Sequence, residues 1–344
     1  YRPISVLPGF SKVFERILHN RLYNFFQSYS VLSDQQFGFR KGYSTDMALL
    51  TAVDQITASL DTGHNVVGLF LDLRKAFDTV DFEILLRKLS FYGVRGNPLS
   101  LCRNYLSGRS QSVLYAGVRS DVLPVTCGVP QGSILGPLLF LVYINDMINS
   151  LTVSQPILYA DDTNIFLTGR DLTSMTHTFN TELTHLNQWF TANRLSLNIS
   201  KTHTMLFTLN THFSSQTLEL CIHQTPIDTV THSKFLGIHI DNKLTWSRRI
   251  SYICNKVSKS LGILTKVSKF LNKATLLMLY NCFVVPYLRY GNIVWGRAAA
   301  THIMRLFILQ KRAIRIISGA EFLAHTNQLF HDNHTLKLQD LCTY

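Results

Sequence analysis

The chain has 344 residues, of which 46% are hydrophobic and 16% charged, and its formal net charge is +12. This apolar content excludes an intrinsically disordered chain, and the length suffices for a large core and two or three subdomains. No uninterrupted apolar run reaches the roughly 18 residues that a membrane span requires, so a membrane protein is not expected.

The sequence begins with Tyr1 rather than Met and carries no signal peptide, which suggests part of a longer product.

The first part of the chain mixes helical and strand patterns. Apolar spacing, capping residues and glycines set the expected element boundaries. They predict a helix over Gly9–Ser28, a helix from Ser44 or Thr45 to about Leu60, a buried strand over Val66–Leu71, a helix from Asp81 to about Tyr92, and a helix from Asn97-Pro98 to near Ser107-Gly108.

The middle of the chain predicts hairpins around a long apolar helix, and the last part is helical. The elements, in order, are a hairpin of Gln111–Tyr115 and Val122–Thr126 about Gly117, a helix over Ile134–Asn149, a hairpin at Asp161-Asp162, an amphipathic helix over Leu172–Ala192, and short strands at Thr204–Phe207, Leu218–Ile222 and Phe235–Ile240. Beyond Trp246 the pattern is helical to about Ser318.

The positive charge is confined to one block. Between Lys243 and Ala320 there are 14 Lys and Arg and no Asp or Glu, whereas the remainder carries 19 basic and 21 acidic residues. A local basic field favours a polyanion, so we expect this block to contact nucleic acid. The alternative is a solvated helical face, although such faces usually mix both signs.

The six cysteines show no metal-binding spacing. None forms a CxxC pair and none lies near a histidine at zinc spacing. We expect scattered, reduced thiols.

Two acidic sites are the strongest chemical signal. The segment Tyr159-Ala160-Asp161-Asp162 lies between apolar runs, and Asp72 ends the buried strand Val66–Leu71. Carboxylates so placed are costly to desolvate unless a cation is held there. They can bind two Mg²⁺ ions for in-line phosphoryl transfer, with Asp72 and Asp161 bridging both ions and Asp162 secondary. The alternative interpretation of an isolated Asp-Asp pair is a turn cap.

Two further segments, around Phe77 and at Gln131-Gly132, could contact a ligand near the acidic residues. Phe77 is a ring close to Asp72 that could exclude a 2′-hydroxyl group, or else a core aromatic residue at the start of a helix. Asp78 is expected to cap the next helix. Gln131 and Gly132 lie in a strand–helix turn, where glycine permits close approach to a ligand and glutamine can donate and accept hydrogen bonds.

Several cations are candidates for phosphate contact or proton transfer. Arg2, Lys12 and the pair Arg40-Lys41 could contact phosphates, or face solvent as most surface cations do. Lys201 follows the acidic hairpin and could protonate leaving pyrophosphate as a general acid.

A set of motifs runs in a fixed order along nearly the whole chain. The motifs are Arg2-Pro3-Ile4-Ser5, Gln36–Arg40, Phe70–Asp78, Gly128–Pro137, Tyr159–Asp162, Asn198 with Lys201-Thr202, and Phe235–Ile238. In this order they resemble the reverse transcriptase domain of non-LTR (LINE-like) retrotransposons of the jockey/CR1 type, and the ordered set is far more specific than any single motif.

The resemblance implies an α+β, right-hand polymerase fold with fingers, a palm built on an antiparallel sheet, and a helical thumb. It implies catalytic, metal-binding acids at Asp72, Asp161 and Asp162, and a proton donor at Lys201. The implied nucleotide-binding residues are Arg2, Phe77, Gln131 and Gly132. The implied primer and template contacts are Arg40, Lys41, Arg248, Arg249 and the primer-grip hairpin at Phe235, Leu236 and Gly237.

The implied domains are partial fingers over 1–61, a palm with interleaved fingers elements over 62–240, a basic thumb over 241–320 and a C-terminal extension over 321–344. The implied activity is RNA-directed DNA synthesis, with two Mg²⁺ ions (Mn²⁺ as a substitute), an RNA template, a DNA primer and dNTPs. The parent protein would be made in the cytoplasm and act in the nucleus. The family places an endonuclease domain upstream, which is not in this sequence, and the oligomeric state is open.

Two alternatives stay open at this stage. The chain could be a related polymerase, such as a group II intron-type enzyme or a viral RNA-dependent RNA polymerase, although Phe77 argues against ribonucleotide use. It could also be an inactive mobile-element relic that binds RNA, although the complete set of acids argues against that.

Overall fold

A computed structural model describes residues 4–210, 218–222 and 224–342. The chain divides into two compact units. The first unit comprises Tyr1–Ser44 and Ser59–Val230, and the second comprises Thr45–Ala58 and Thr231–Tyr344. The boundary between palm and thumb at 240/241 stays a prediction; the position lies inside the second unit, within the strand Ile238–Asp241.

Helices dominate both ends of the chain. The α-helices are α1 Gly9–Ser28, α2 Thr45–Asp61, α3 Phe82–Phe91, α4 Asn97–Leu106, α5 Gly136–Ile144, α6 Leu172–Ala192, α7 Ser247–Val267, α8 Lys273–Phe283, α9 Val285–Arg289, α10 Asn292–Trp295, α11 Ala300–Ser318 and α12 Asn327–Asp332. Short 3₁₀ helices cover Ala76–Asp78, Asn145–Ser150 and Asp340–Cys342.

The strands are mostly short. They are β1 Asn65–Leu71, β2 Ser110–Gln111, β3 Leu114–Tyr115, β4 Val118–Arg119, β5 Leu123–Pro124, β6 Gln155–Tyr159, β7 Asp162–Gly169, β8 His203–Phe207, β9 Cys221–Ile222, β10 Thr225–Pro226, β11 Asp228–Thr229, β12 His232–Phe235 and β13 Ile238–Asp241.

A five-stranded sheet forms the centre of the first unit. Its order is β11-β8-β1-β7-β6; β1 is antiparallel to both of its neighbours, and β11 is parallel to β8. All seven residues of β1 are buried, which explains its nearly unbroken apolar sequence. Side chains of β1 join those of α3, α5 and α6 in one hydrophobic core. The sheet therefore has a rigid centre whose strand ends carry the acidic residues.

Many predicted elements are confirmed. The helices at Gly9–Ser28 and Leu172–Ala192 have the predicted bounds, and the acidic hairpin and the helical segment beyond Trp246 are present. The hairpin about Gly117 is also present, but its tip pairs β3 with β4, while β2 pairs with β5 further from the turn.

Four predictions were wrong in detail. The cap of α3 is Asp81, whose carboxylate accepts a hydrogen bond from the Ile84 N–H at 3.0 Å, and not Asp78. The helix predicted over Ile134–Asn149 is α only from Gly136 to Ile144 and then 3₁₀, where the Asn145 side chain bonds to the chain at 31 and 33. The strand predicted over Leu218–Ile222 is reduced to Cys221–Ile222.

The fourth is the strand predicted over Phe235–Ile240, which is instead the turn and second strand of a hairpin. Phe235 pairs with Ile238, and Leu236 and Gly237 form the two-residue loop with φ of +44° and +81°. Two positive φ values correspond to a type I′ turn, which matches the twist of a hairpin. Gly237 adopts this conformation without strain. This glycine was the local sequence signal for a turn, and the prediction of a continuous strand did not take it into account.

None of the helices formed by residues 4–210, 218–222 and 224–342 is long and apolar enough to cross a membrane.

A buried carboxylate on α6 holds the chain that enters β6. Glu182 is 2% exposed, and its Oε1 accepts hydrogen bonds from the backbone N–H groups of Thr152 at 2.7 Å, Val153 at 2.6 Å and Ser154 at 3.3 Å. Burial alone raises the pKa of Glu182, but the hydrogen bonds from Ser154, Val153 and Thr152 outweigh it, and the net pKa is lowered below its ordinary value of 4.5.

We expect the substitution Glu182→Gln to destabilise the chain at pH 7 but not at low pH. Because the folded-state pKa is lowered, the carboxylate stabilises the fold above the ordinary pKa, and this contribution disappears as the pH falls through the folded-state value. Urea unfolding should show a loss of about 1–3 kcal/mol at pH 7. The control Glu219→Gln, at an exposed carboxylate, should change little. A loss of equal size at all pH values would contradict this account.

Candidate active site

The acidic hairpin is a tight turn between buried strands. Tyr159 pairs with Asp162, so Ala160 and Asp161 form a two-residue loop and Asp162 begins β7. Ala160 has φ of +55°, in the left-handed region that residues with a Cβ rarely adopt. Asp161 is half-buried and Asp162 is exposed. The turn thus presents two consecutive carboxylates at one end of the sheet.

The segment 196–202 holds Asp72. Leu73 and Leu197 form an antiparallel bridge, the Asn198 N–H donates to the Asp72 carbonyl at 2.8 Å, and the Arg74 N–H donates to the Ser196 carbonyl at 2.8 Å. The Asn198 amide Nδ2 donates to Asp72 Oδ2 at 2.9 Å. Lys201 Nζ lies 3.7 Å from the same oxygen. Asp72 therefore has an amide donor and a cation fixed beside it.

Strand register places Asp72 and the hairpin together. Leu71 pairs with Thr163 in the β1–β7 ladder, so the next positions along the strands are Asp72 and Asp162. Within the described ranges, no group of three or more His, Cys, Asp or Glu is assembled to hold a metal ion. Mg²⁺ is usually bound by one or two carboxylates and by substrate phosphates rather than by an all-protein cage, and Asp72 with the Asp161-Asp162 turn offers partly exposed carboxylate oxygens of that kind. The oxygen donors present therefore fit the implied ion.

Phe77, five positions after Asp72, lies in an aromatic cluster. Its ring stacks on Phe140 with centroids 4.3 Å apart and meets Phe39 edge-on at 6.2 Å. Phe77 is only partly buried. Because these two rings fix its position, one face is packed and the remainder stays available to a ligand.

The turn at 128–132 packs on the 3₁₀ segment that follows β1. The Gly128 N–H donates to the Val80 carbonyl, and a Cβ at Gly128 would lie 2.7 Å from the Asp78 carbonyl oxygen. Gln131 Nε2 donates to Asp78 Oδ1 at 2.8 Å. Gly132 has φ of +99°. Asp78 thus fixes the Gln131 amide, and the cap predicted for Asp78 is replaced by this contact.

The phosphate-contact candidates of the first unit differ in exposure. Arg40 is 8% exposed; its guanidinium bonds to the carbonyl groups of Ser33 and Gln36 and lies 4.2 Å from the centroid of the Tyr43 ring. Lys41 is exposed. In this state Arg40 braces its own loop, and Lys41 is the cation open to a phosphate. Arg2 lies outside the described residues.

The hairpin of the second unit is braced in the same way. Arg249 is 3% exposed, and its guanidinium donates to the carbonyl groups of Gly237 at 3.5 Å and Tyr290 at 3.1 Å. Burial lowers the pKa of Arg249. Phe235 and Leu236 are buried, and Gly237 and Arg248 are exposed. Of the predicted contacts in this unit, Arg248 and the Gly237 backbone are accessible to a ligand.

Positive charge also surrounds this hairpin. His239 lies opposite Lys234 across the two strands, and its ring centroid is 5.3 Å from that of Tyr252. Burial first, and then the charge of Arg249 and Lys234, lower the pKa of His239. Such a cluster of cations favours an anionic ligand.

Two residues of the site were not identified as site residues from the sequence. Asn198 contacts the Asp72 carboxylate, and its spacing of three residues from Lys201 was a usable signal. Gln36 contacts the backbone of the Asp161 turn, which lies 124 positions away. No local pattern reveals a contact at such a separation.

The chain matches a family model, and relatives extend the match. The model of the "Reverse transcriptase (RNA-dependent DNA polymerase)" family matches residues 1–240. The probable RNA-directed DNA polymerase from transposon X-element of Drosophila melanogaster is 31% identical over 340 residues, which cover 96% of this chain and 37% of that protein. The RNA-directed DNA polymerase from mobile element jockey of the same organism is 30% identical over 353 residues, covering 99% and 38%. This chain thus spans less than half the length of these relatives.

A solved structure supports the fold. Apo telomerase from Candida tropicalis superposes with a TM-score of 0.51 at 11% sequence identity, covering 90% of this chain and 50% of that one. At this identity the likeness concerns the fold alone, which is the α+β fold of right-hand polymerases. Together with the family match over residues 1–240, these findings place the chain in the reverse transcriptase family, in its non-LTR retrotransposon branch.

Proposed function

We propose that this chain is an RNA-directed DNA polymerase that adds dNTPs to the 3′-hydroxyl group of a DNA primer on an RNA template. The observation that carries the proposal is the junction of two strand ends: Asp72, held by Asn198 and Lys201, and the Asp161-Asp162 turn one register step away. The basic residues between Lys243 and Ala320 supply a field that favours a template–primer duplex.

Reverse transcriptases use divalent metal ions, and we propose Mg²⁺ here, bound by Asp72 and Asp161 with Asp162 in support. When bound, such ions activate the primer hydroxyl group and stabilise charge on the attacking and leaving oxygens. The half-exposed Asp72 and Asp161 can be reached by a triphosphate. Mn²⁺ has the same preference for oxygen ligands and should substitute.

The neighbouring side chains would position the substrates. The Asn198 amide fixes the Asp72 carboxylate through one oxygen, which leaves the other oxygen for a ligand. Lys201 can move its proton to leaving pyrophosphate, since its ammonium group is mostly exposed beside Asp72. Phe77, supported by Phe140, would lie under the sugar, and Gln131 would act from the turn that Asp78 fixes.

We expect Asp161→Asn to abolish primer extension. The neutral amide keeps the size of the side chain but loses the charge that an Mg²⁺ ligand supplies, so the rate should fall by more than about 100-fold. Primer extension on an RNA template with Mg²⁺ and dNTPs measures this. Asp121→Asn, at an exposed residue between β4 and β5, is the matched control and should extend as the wild type does. Undiminished extension by Asp161→Asn would refute the proposed site.

We expect Lys201→Met to slow chemistry with little effect on dNTP binding. Loss of a general acid typically costs 10²–10⁴-fold in rate, so single-turnover extension should slow by about that factor. Lys256→Met is the matched control, because it removes the same charge from α7, close to the Tyr252 ring. It measures the loss of rate that weaker nucleic-acid binding alone would cause. If Lys201→Met raises only the dNTP concentration at half-maximal rate, the proton-donor role is wrong.

We expect Phe77→Val to relax discrimination between dNTPs and rNTPs. A smaller side chain leaves room for the 2′-hydroxyl group, so the preference for dNTPs should fall by roughly 10–100-fold. The ratio of kcat/KM for the two substrates measures this, and the ratio is insensitive to a loss of folded protein. An unchanged ratio would assign Phe77 to the core alone, beside Phe140.

A further inference from the structure

The segment 35–38 forms an additional edge beside β6. Gln36 and Leu158 form a parallel bridge, in which the Leu158 N–H donates to the Gln35 carbonyl at 2.9 Å and the Phe37 N–H donates to the Leu158 carbonyl at 2.8 Å. This pairing brings the segment to the strand that leads directly into the Tyr159–Asp162 turn.

The Gln36 side chain reaches the turn itself. Its Oε1 accepts hydrogen bonds from the Ala160 N–H at 3.0 Å and from the Gly38 N–H at 2.7 Å, and the residue is 3% exposed. Two N–H groups facing one atom fix the amide orientation, because the opposite orientation would place donors against donors. Among the described residues, the buried Nε2 has no hydrogen-bond partner. Burying an unpaired donor destabilises the fold. The two hydrogen bonds that Oε1 accepts account for a glutamine at this position despite its unpaired Nε2.

The backbone around Gln36 is packed tightly against the turn. A Cβ at Gly38 would lie 2.3 Å from the Ala160 nitrogen and 3.0 Å from the Tyr159 carbonyl carbon. Arg40 in turn bonds to the Ser33 and Gln36 carbonyl groups, which fixes the loop that carries Gln36. The acceptor therefore has little freedom to move away from Ala160.

Ala160 is a residue whose backbone needs such support. Its φ of +55° is strained for a residue with a Cβ, and the next residue is Asp161. A hydrogen bond to the Ala160 N–H holds the peptide plane that precedes this conformation. A small rotation there would change the direction of the Asp161 carboxylate, which follows directly in the chain.

We propose that Gln36 is a positioning residue for Asp161: its buried amide oxygen holds the strained Ala160 and so aims the carboxylate that follows. The inference rests on the proposed function for its role in catalysis, but it can be tested on metal binding alone. Partners that orient metal ligands typically contribute 10–100-fold in metal affinity or activity.

The test compares Gln36→Met with Thr208→Val. Gln36→Met is nearly isosteric but lacks the acceptor oxygen. Thr208 Oγ1 likewise makes two hydrogen bonds, to Asn65 Oδ1 at 2.7 Å and from the Asn210 N–H at 3.0 Å, and Asn65 begins β1, at the end opposite the acidic turn. Thr208→Val therefore removes comparable buried bonding in the same unit without touching that turn.

Mn²⁺ titrations followed by electron paramagnetic resonance, on the chain without nucleic acid, provide a readout that needs no activity. Gln36→Met should weaken Mn²⁺ binding about tenfold, and Thr208→Val should leave it within about twofold of the wild type. In primer extension, Gln36→Met should lower kcat and raise the half-saturating Mg²⁺ concentration, with the KM for dNTP little changed. Equal effects of the two variants, or no Mn²⁺ binding by the wild-type chain, would overturn the inference.

A second variant covers the case in which Gln36→Met does not fold. Gln36→Glu keeps an acceptor oxygen for both N–H groups, so Mn²⁺ affinity should stay within about threefold of the wild type or increase; a tenfold loss would overturn the inference. If the wild-type chain binds Mn²⁺ but does not extend a primer, the proposed function fails, and the comparison of Mn²⁺ affinities still tests Gln36.

Discussion

Carboxylates held close together repel one another, and the fold must hold them in place without neutralising them. The sheet of the first unit does this by ending buried strands at acidic residues. The β1 strand is buried over its whole length, and a shift by one residue would bring a side chain to the place of Gly68, where a Cβ would lie only 3.1 Å from the Phe166 ring, so close packing fixes its register with β7. The position of Asp72 beside the Asp161-Asp162 turn therefore follows from hydrophobic burial.

Burial of the strands fixes only the backbone; the orientation of the carboxylates depends on two segments that are distant in sequence. The segment 196–202 supplies Asn198 and Lys201 to Asp72, and the segment 35–38 supplies Gln36 to Ala160. Both attach by backbone pairing, at Leu73–Leu197 and at Gln36–Leu158. Each acidic strand end therefore has its own support, one acting on the side chain and one on the backbone.

Local patterns predicted what depends on local physics. Helical spacing predicted α1 and α6 with their bounds. The acids between apolar runs predicted the hairpin, and with it a metal site. Both signals lie within a few residues of one another, which is why local patterns contain them. The role predicted for Asp78 was wrong: Asp81, directly before Phe82, caps the helix, and Asp78 instead accepts a hydrogen bond from Gln131, 53 positions away, a contact that no local pattern predicts. The local pattern predicted a continuous strand over Phe235–Ile240, and only the resemblance implied a hairpin there, because Leu236 adopts a positive φ that its residue type does not favour.

Arg40 and Arg249 show why residue type alone does not identify a ligand contact. Arg40 ends the motif Gln36–Arg40 and Arg249 lies in the basic block, both of which indicated nucleic-acid contact, and each side chain is buried against backbone carbonyl groups beside a tyrosine ring. A guanidinium group has five donors in a rigid fork, so it can satisfy several carbonyl groups of one loop as readily as a phosphate. Their neighbours Lys41 and Arg248 are exposed. Arg40 braces the loop that carries Lys41, whereas Arg249 braces the Gly237 turn and its neighbour Arg248 lies on α7. Removing either buried arginine would therefore disturb the local backbone, whether or not the side chain also contacts a ligand.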